Sequence, residues 1–480
     1  MHYEDFDCLI DRADNGYKIR VLNSPAGQAL CETQLPFSEL EIENFILKVS
    51  LSRRMRRGIE SPELETVRDF GERLFRAFFK DEIGVCLLRS LDDVKRQNAG
   101  LRLRLRLADA PELLDLPWEY LYNPTFKRFF CLSDYSSLNR YMDLPQLISP
   151  LFVKPPLRVL VMVSAPFDAP ELNVEQEWAN LKTALHELEN RGLFVIDRLQ
   201  AATLQALRTQ LRKAEYHVFH FIGHGSFDKS ARKGSILLED EHRRRHEITS
   251  EHLADVLHNE PTLRLVILNA CEGGRTSRSD PFAGAAQKIV QQGIPAVIAM
   301  QFAVTDSAAI AFSEVFYGKI AKGLSLDESL AETRQALYDR HHQMEWATPV
   351  LYMRAKDGRL FDIAASKQAQ GTNAQSEKDS KPHSENFDAL YSMQVRLSVL
   401  YYLDSQSHNA KGLSIKEIVT ALGIQRRKFL VPVLDELAQA ALIDKTKMEK
   451  RAFWKITDTG RETVSKLHES IATRVQWASK

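Results

Sequence analysis

The sequence predicts an α/β protein: a mostly parallel sheet flanked by helices, with a small separate domain at the C-terminal end. Three observations lead there. Between 157 and 355, short continuous apolar runs alternate with stretches of helical period, as buried parallel strands and their crossover helices do. The stretch 365–386, ASKQAQGTNAQSEKDSKPHSEN, has no Leu, Ile, Val, Phe, Tyr or Trp. It cannot bury enough apolar area to offset its ordering entropy and reads as a flexible linker. Beyond it, 387–480 regains apolar periodicity and reads as a compact unit.

Residues 1–150 form the first segment. YKIRVLNSPAG (17–27) and LRLRLRLADAP (101–111) read as strands, the second with strict Leu/Arg alternation, and Glu63 to Phe79 reads as a helix. This segment is a second α/β half or an extension of the same sheet. Residues 151–364 carry the main series. LRVLVMVS (157–164) is a buried strand ending before Pro166, and a helix runs from Val174 to Arg191. FVIDRL (194–199), a helix from Thr203 to Lys213, YHVFHFIGHG (216–225) and SILLED (235–240) follow. RLVILNAC (264–271) is another buried strand, then a helix from Phe282 to Gln292, AVIAMQFAV (296–304), a helix from Ser307 to Lys322, and TPVLYMRA (348–355). In such sheets, sites form beyond the carboxyl ends of the strands.

The bulk numbers exclude several classes. At 480 residues the chain exceeds one typical core. Lys+Arg and Asp+Glu both count 64, so the whole chain has no bias toward nucleic acid or membrane. No apolar run approaches the roughly 18 residues of a membrane helix. The N-terminus, MHYEDFDCLIDRAD, is acidic without a signal-peptide apolar core, so the protein reads as cytoplasmic. The five cysteines, Cys8, Cys31, Cys86, Cys131 and Cys271, are scattered without CxxC spacing, which argues against a disulfide framework or a zinc site.

Two strands end in reactive residue types. One runs into Gly223-His224-Gly225, the other into Asn269-Ala270-Cys271-Glu272-Gly273-Gly274. Alone, Cys271 reads as a small buried hydrophobe and Gly-His-Gly as a turn. Together, both sit at strand carboxyl ends on one rim of the sheet. A cysteine nucleophile needs a base or an imidazolium partner. The histidine precedes the cysteine by 47 residues, similar to the roughly 50 of caspase-type enzymes. His224 stands at the exposed end of its strand, flanked by glycines that let backbone approach a substrate. The N–H groups of Gly225 and Cys271 could form an oxyanion hole. His217 and His220 lie in the same strand at odd spacing and should face opposite ways, which disfavours a three-histidine metal site. Packing roles fit both. No metal or cofactor is expected.

The runs LNVEQEWANLKTALHEL, YHVFHFIGHGSFD, LVILNACEGG, DPFAGAAQKIVQQGIPAVIAMQFAVTD and WATPVLYM, in that order, resemble the CHAT domain of the caspase-like cysteine peptidases, the clan of caspases, legumains, separases and gingipains. LRLRLRLADAPELLDLPWEYLYN resembles the N-terminal part of such proteins, so the resemblance covers about 1–360. It implies a caspase-like sheet, with His224 as general base and Cys271 as nucleophile of peptide-bond hydrolysis, and Gly225 and Cys271 as oxyanion donors. It implies that Asn269, two residues before the cysteine, lines the primary specificity pocket. Val304-Thr305-Asp306 resembles the separase segment whose aspartate receives a basic side chain, implying cleavage after Arg or Lys. Asp306 also reads as the N-cap of the helix that follows. CHAT proteins often occur in bacterial signalling and defence, so the resemblance implies a partner protein as substrate. The alternatives are a catalytically silent caspase-like scaffold and a transcriptional regulator in which the body is a sensor coupled to a DNA-binding C-terminal domain.

In 387–480, Gln394 to Tyr402 reads as a helix, LSIKEIVTALG (413–423) as a second with Ser414 as N-cap and Gly423 as stop, and IQRRKFLVPVLDELAQAALI as a third. TKMEKRAFWKITDTG reads as a charged hairpin before a last helix. This order resembles a winged helix-turn-helix. The segment holds 15 Lys/Arg against 10 Asp/Glu. Arg426, Arg427 and Lys428 fall at the recognition-helix position, with Lys445, Lys447, Lys450 and Arg451 on the wing, as phosphate contacts require. A DNA partner and a protein partner both fit, and membrane contact does not.

Overall fold

The computed structural model describes residues 2–52, 62–144, 148–170, 173–228, 233–270, 282–302, 304–340 and 344–363, then 413–414, 434, 437–438, 443–448, 451–459 and 461. The chain divides into two compact units, Met1–Ala369 and Gln370–Lys480.

In the first unit, β1 (Tyr3–Ala13), β2 (Gly16–Asn23) and β3 (Ala29–Thr33) precede α1 (Glu39–Ser52), α2 (Pro62–Phe78) and α3 (Asp81–Arg96). Then come β4 (Gly100–Arg106), the small hairpin of β5 (Tyr122–Asn123) and β6 (Arg128–Phe129), β7 (Ser136–Tyr141) and β8 (Leu151–Val153). The central series is β9 (Leu157–Val163), α4 (Val174–Asn190), β10 (Phe194–Arg198), α5 (Leu204–Lys213) and β11 (Val218–Gly223). A side sheet of β12 (Gly225–Asp228), β13 (Lys233–Glu239) and β14 (Arg245–Thr249) leads into α6 (Ser250–His258) and β15 (Leu265–Ala270). The unit continues through α7 (Ala283–Gln291), β16 (Ala296–Met300), α8 (Asp306–Ala321), α9 (Leu326–Asp339), β17 (Pro349–Met353) and β18 (Phe361–Ile363), which pairs with β8.

The main sheet has eleven strands in the order β10-β9-β11-β15-β16-β17-β7-β4-β1-β2-β3. Neighbours are parallel except at β16/β17, β1/β2 and β2/β3. The middle strands are apolar on both faces because helices cover both. Val159, Val218, Phe219, Leu265, Ile267 and Ile298 are all fully buried. On one face His220 meets Tyr317 of α8, and on the other Phe221 meets Phe282 at the start of α7.

Residues 1–150 extend this same sheet, since Tyr352 of β17 pairs with Arg140 of β7 and β4 follows. The Leu/Arg alternation of β4 explains the join. Leu101, Leu103 and Leu105 are fully buried in the common core. On the other face, register sets Arg102 beside Asp5 and Arg104 beside Asp7 of β1. Arg102 reaches Asp5 at 2.9 Å and the fully buried Asp327 of α9 at 2.8 Å, and Arg104 reaches Asp5 at 2.7 Å. Opposed charges in register make the arginine face compatible with burial.

In the second unit, β19 (Leu413–Ser414), β20 (Ile443–Met448) and β21 (Arg451–Ile456) form an antiparallel sheet ordered β19-β21-β20. The charged hairpin is present, running from Ile443 opposite Ile456 to Met448 opposite Arg451. Ser414, read as a helix cap, is a strand residue. The linker 365–386 and most of the helices read from sequence lie outside the described residues. Among the described residues no helix is long and apolar enough to cross a membrane.

Candidate active site

β11 lies between β9 and β15 with every residue buried. Its last pairing sets Gly223 opposite Ala270, the last residue of β15. The two strands thus end side by side, one residue before His224 and one before Cys271. Gly223 is required by packing: a Cβ there would lie 2.7 Å from the Phe221 ring tip and 3.1 Å from the Ser164 carbonyl oxygen. Ser164 is held in that position by donating its N–H to the Ile222 carbonyl at 2.9 Å and its hydroxyl to the Leu237 carbonyl at 2.8 Å.

At His224 the chain leaves the main sheet for the side sheet. The Leu237 N–H donates to the His224 carbonyl at 3.0 Å, and Gly225 is paired opposite Ile236. That pattern makes Gly225 and Ile236 a non-hydrogen-bonded pair, so the Gly225 N–H is directed away from β13.

His224 is 1% exposed, not at an open strand end as the sequence suggested. The segment 164–170 reaches it through Pro170. This strap is fastened by the Ala165 N–H on Glu239 (3.0 Å), the Phe167 N–H on the Arg243 carbonyl (3.1 Å) and the Arg245 N–H on Asp168 (2.6 Å). The strap delivers the Pro170 carbonyl to 2.9 Å from His224 Nε2. A carbonyl oxygen can only accept, so Nε2 carries the ring proton. In the neutral ring Nδ1 is then the basic nitrogen. It is buried and has no hydrogen-bond partner among the described residues. An imidazole oriented through one nitrogen with the other left as a base is what a nucleophile partner needs. Sequence reading missed Pro170 because a backbone carbonyl leaves no side-chain signature.

The other two histidines face different elements. His217 accepts the Arg158 N–H at Nδ1 (2.8 Å) and packs edge-on against Phe361. Burial pulls its pKa down to about 4. His220 is 2.9 Å from the Tyr317 hydroxyl, and burial pulls its pKa down to about 3. Both are neutral packing groups. Among the described residues no cluster of His, Cys, Asp and Glu could hold a metal ion.

Asn269, opposite Ile222 on β15, is 6% exposed and lines a narrow cavity with His220, Ser313, Pro349 and Glu345. The free volume of about 10 Å³ suits a single water. Asn269 Oδ1 has no partner among the described residues. Asp306 does not line this cavity. It is exposed at the first position of α8. The N-cap is Thr305, whose side chain accepts the Ala308 N–H, so the alternative reading of Asp306 as the cap is corrected. Thr305 in turn donates its N–H (2.6 Å) and hydroxyl (3.1 Å) to Glu345. Glu345, distant in sequence and unremarkable there, is thus the buried carboxylate of this corner.

Cys271, Gly273 and Gly274 lie outside the described residues. The described cysteines, Cys8, Cys31, Cys86 and Cys131, all belong to the N-terminal extension. Burial raises the pKa of Cys8 and Cys31, and that of Cys131 to about 11, which makes poor nucleophiles of these three. In the second unit, Lys445 and Lys447 are on β20 and Arg451 opens β21, while Arg426, Arg427, Lys428 and Lys450 lie outside the described residues.

Comparison with known proteins gives one family: residues 68–354 match the profile described as CHAT domain. Two structures of the separase–securin complex of Saccharomyces cerevisiae are similar. One aligns at TM-score 0.40 and 11% identity, over 73% of this chain and 30% of the matched chain. The other aligns at TM-score 0.32 and 14% identity, over 68% and 20%. This chain therefore spans less than a third of the length of either. A comparison with curated proteins finds no match.

Proposed function

The chain belongs to the CHAT domain family, and from that premise we propose that it is a cysteine endopeptidase in which His224 serves Cys271. The observation that carries this reading is the setting of the His224 ring: Nε2 at 2.9 Å from the Pro170 carbonyl, Nδ1 buried and without a partner among the described residues. The adjacent strand ends, Gly223 opposite Ala270, support a meeting of the two side chains.

The chemistry is acyl transfer. His224 Nδ1 takes the Cys271 thiol proton, and the thiolate attacks the scissile carbonyl. The N–H groups of Gly225 and Cys271 receive the developing oxyanion, a role that fits a Gly225 N–H unused by the β13 ladder. The imidazolium returns its proton to the leaving amine, and water then hydrolyses the thioester with His224 again as base.

The substrate is a partner protein cut after Arg or Lys, with Asn269 and Asp306 in the recognition of the basic residue. Asp306 is an exposed carboxylate without an ion pair among the described residues, which supports that role. The C-terminal unit is a winged helix that recruits DNA or a protein, a reading supported by the sheet β19-β21-β20 and the surplus of basic residues. The setting is a bacterial signalling or defence system.

A second reading, a silent scaffold or sensor coupled to that winged helix, draws on the burial of His224. Wild type and Cys271→Ala incubated with Arg- and Lys-containing reporter peptides and with proteins encoded beside this one separate the two. Turnover in wild type, lost in Cys271→Ala and His224→Ala, supports the peptidase. Equal turnover in the Cys271→Ala chain would refute it.

A further inference from the structure

A second concavity lies on the same rim of the main sheet. β17 runs against β16, and β7 runs with β17, so β7 starts on the side where β11 and β15 end. There the β5–β6 hairpin, the approach to β7, α2 and the last turn of α9 enclose a cleft of about 410 Å³. That size is ordinary for a small-molecule site. The Gln335 side chain donates to Asp134 at 2.8 Å and clamps α9 to the start of β7. The hairpin is set by Asn123, whose side-chain oxygen accepts the Thr125 (2.9 Å) and Phe126 (3.3 Å) N–H groups.

The lining combines aromatic rings and cations with the carboxylates of Asp134 and Asp339, the first held by Gln335. Tyr135 and Tyr338, 41% and 38% exposed, are large aromatic side chains left in water on two separate elements. Exposed rings gathered at one cleft mark a site for another flat group. Arg68, Lys127 and Arg128 supply three cations, and none of them makes an ion pair among the described residues. Arg68 instead lies 5.6 Å over the Tyr122 ring. Lys127 stands at φ 52°, a left-handed backbone that a lysine seldom adopts and that aims the hairpin tip.

We propose that this cleft binds a nucleotide, with the base against the tyrosines and the phosphates on Arg68, Lys127 and Arg128. Stacking needs a planar ring and charge-assisted hydrogen bonds need an anion, and a nucleotide carries both on one small scaffold. The site is separate from the cysteine site but shares a helix with it. Leu337 lines the cavity under Asn269, while Gln335, Tyr338 and Asp339 line the cleft.

The test is calorimetric titration of the full chain with ATP, GTP, CTP and UTP, each to about 1 mM. Inorganic tripolyphosphate and the unphosphorylated nucleosides serve as separate arms. Saturable binding of at least one nucleotide is expected, with tripolyphosphate and nucleoside each weaker by about tenfold or more. Lys127→Glu with Arg128→Glu, and separately Tyr338→Ala, should each weaken it by about tenfold or more with unchanged thermal unfolding. The Cys271→Ala chain should bind as wild type does, so the outcome is independent of any peptidase activity. No saturable binding by any nucleotide, tripolyphosphate binding as tightly as the nucleotides, or variants that bind normally would each overturn the proposal.

Discussion

Replacing Gly223 by Ala probes the junction that delivers His224. The new Cβ would sit 2.7 Å from the Phe221 ring tip and 3.1 Å from the Ser164 carbonyl oxygen. The ring has little room to retreat, since Phe221 is fully buried and stands edge-on to Phe282 with centroids 6.3 Å apart. The carbonyl belongs to a residue fixed by its N–H on the Ile222 carbonyl and its hydroxyl on the Leu237 carbonyl. Overpacking of this kind costs about 1–3 kcal/mol. The strain also acts on the residue before His224, the proposed base. A shift of roughly 1 Å in a reacting group costs about 100-fold in rate. Urea unfolding followed by fluorescence reads the stability loss, and single-turnover cleavage of a basic-residue reporter reads the rate. Gly223→Ala should lose about 1–3 kcal/mol and most of its activity, with binding of a substrate-like peptide less affected. A variant with wild-type stability and rate would refute the assignment of Gly223 as an obligatory close contact and weaken the site built beside it.

Asp327→Ala removes one partner of the buried Arg102 while Asp5 remains, so a loss near about 3 kcal/mol is expected by chemical unfolding, the low end for a broken buried pair. Thr305→Ala removes the α8 cap and a bond to Glu345, and should cost about 1–2 kcal/mol by the same measurement. Asp306→Ala should lower cleavage after Arg or Lys without lowering stability by more than about 0.5 kcal/mol; unchanged turnover of basic reporters would exclude Asp306 from recognition. For the pH dependence, His217 and His220 have folded pKa values of about 4 and about 3, below the ordinary 6.5. Below pH 6.5 the unfolded chain binds protons that the native chain refuses, so stability falls as pH drops from about 6.5 toward 4. The slope contributed is up to about 1.4 kcal/mol per pH unit for each histidine. His220→Gln should flatten that acid limb in thermal melts, and an unchanged limb would contradict a neutral buried His220.

The central strands were legible because burial on both faces leaves continuous apolar runs, as in Leu265–Leu268. The helices α4, α5, α7 and α8 were legible from their period and flanks to within a residue or two at each end. β1, α3 and α9 escaped notice. The acidic residues of β1 look like surface, and only the arginines of β4 make them internal partners. α9 is polar along much of its length, with Asp327 and Arg334 buried through ion pairs that cross more than a hundred residues of chain.

For the candidate site, residue type and strand-end position single out His224, Cys271 and Gly225, since chemical identity and period are local properties of the chain, while Asn269 came only through the family resemblance. The direction of the His224 ring, its burial, the Pro170 carbonyl, and the pairing of Thr305 with Glu345 rest on segments brought together by folding. Each depends on a distance between residues remote in sequence or on a backbone atom common to every residue. Neither leaves a mark in the order of side chains, which is why those features became visible only with the packed chain.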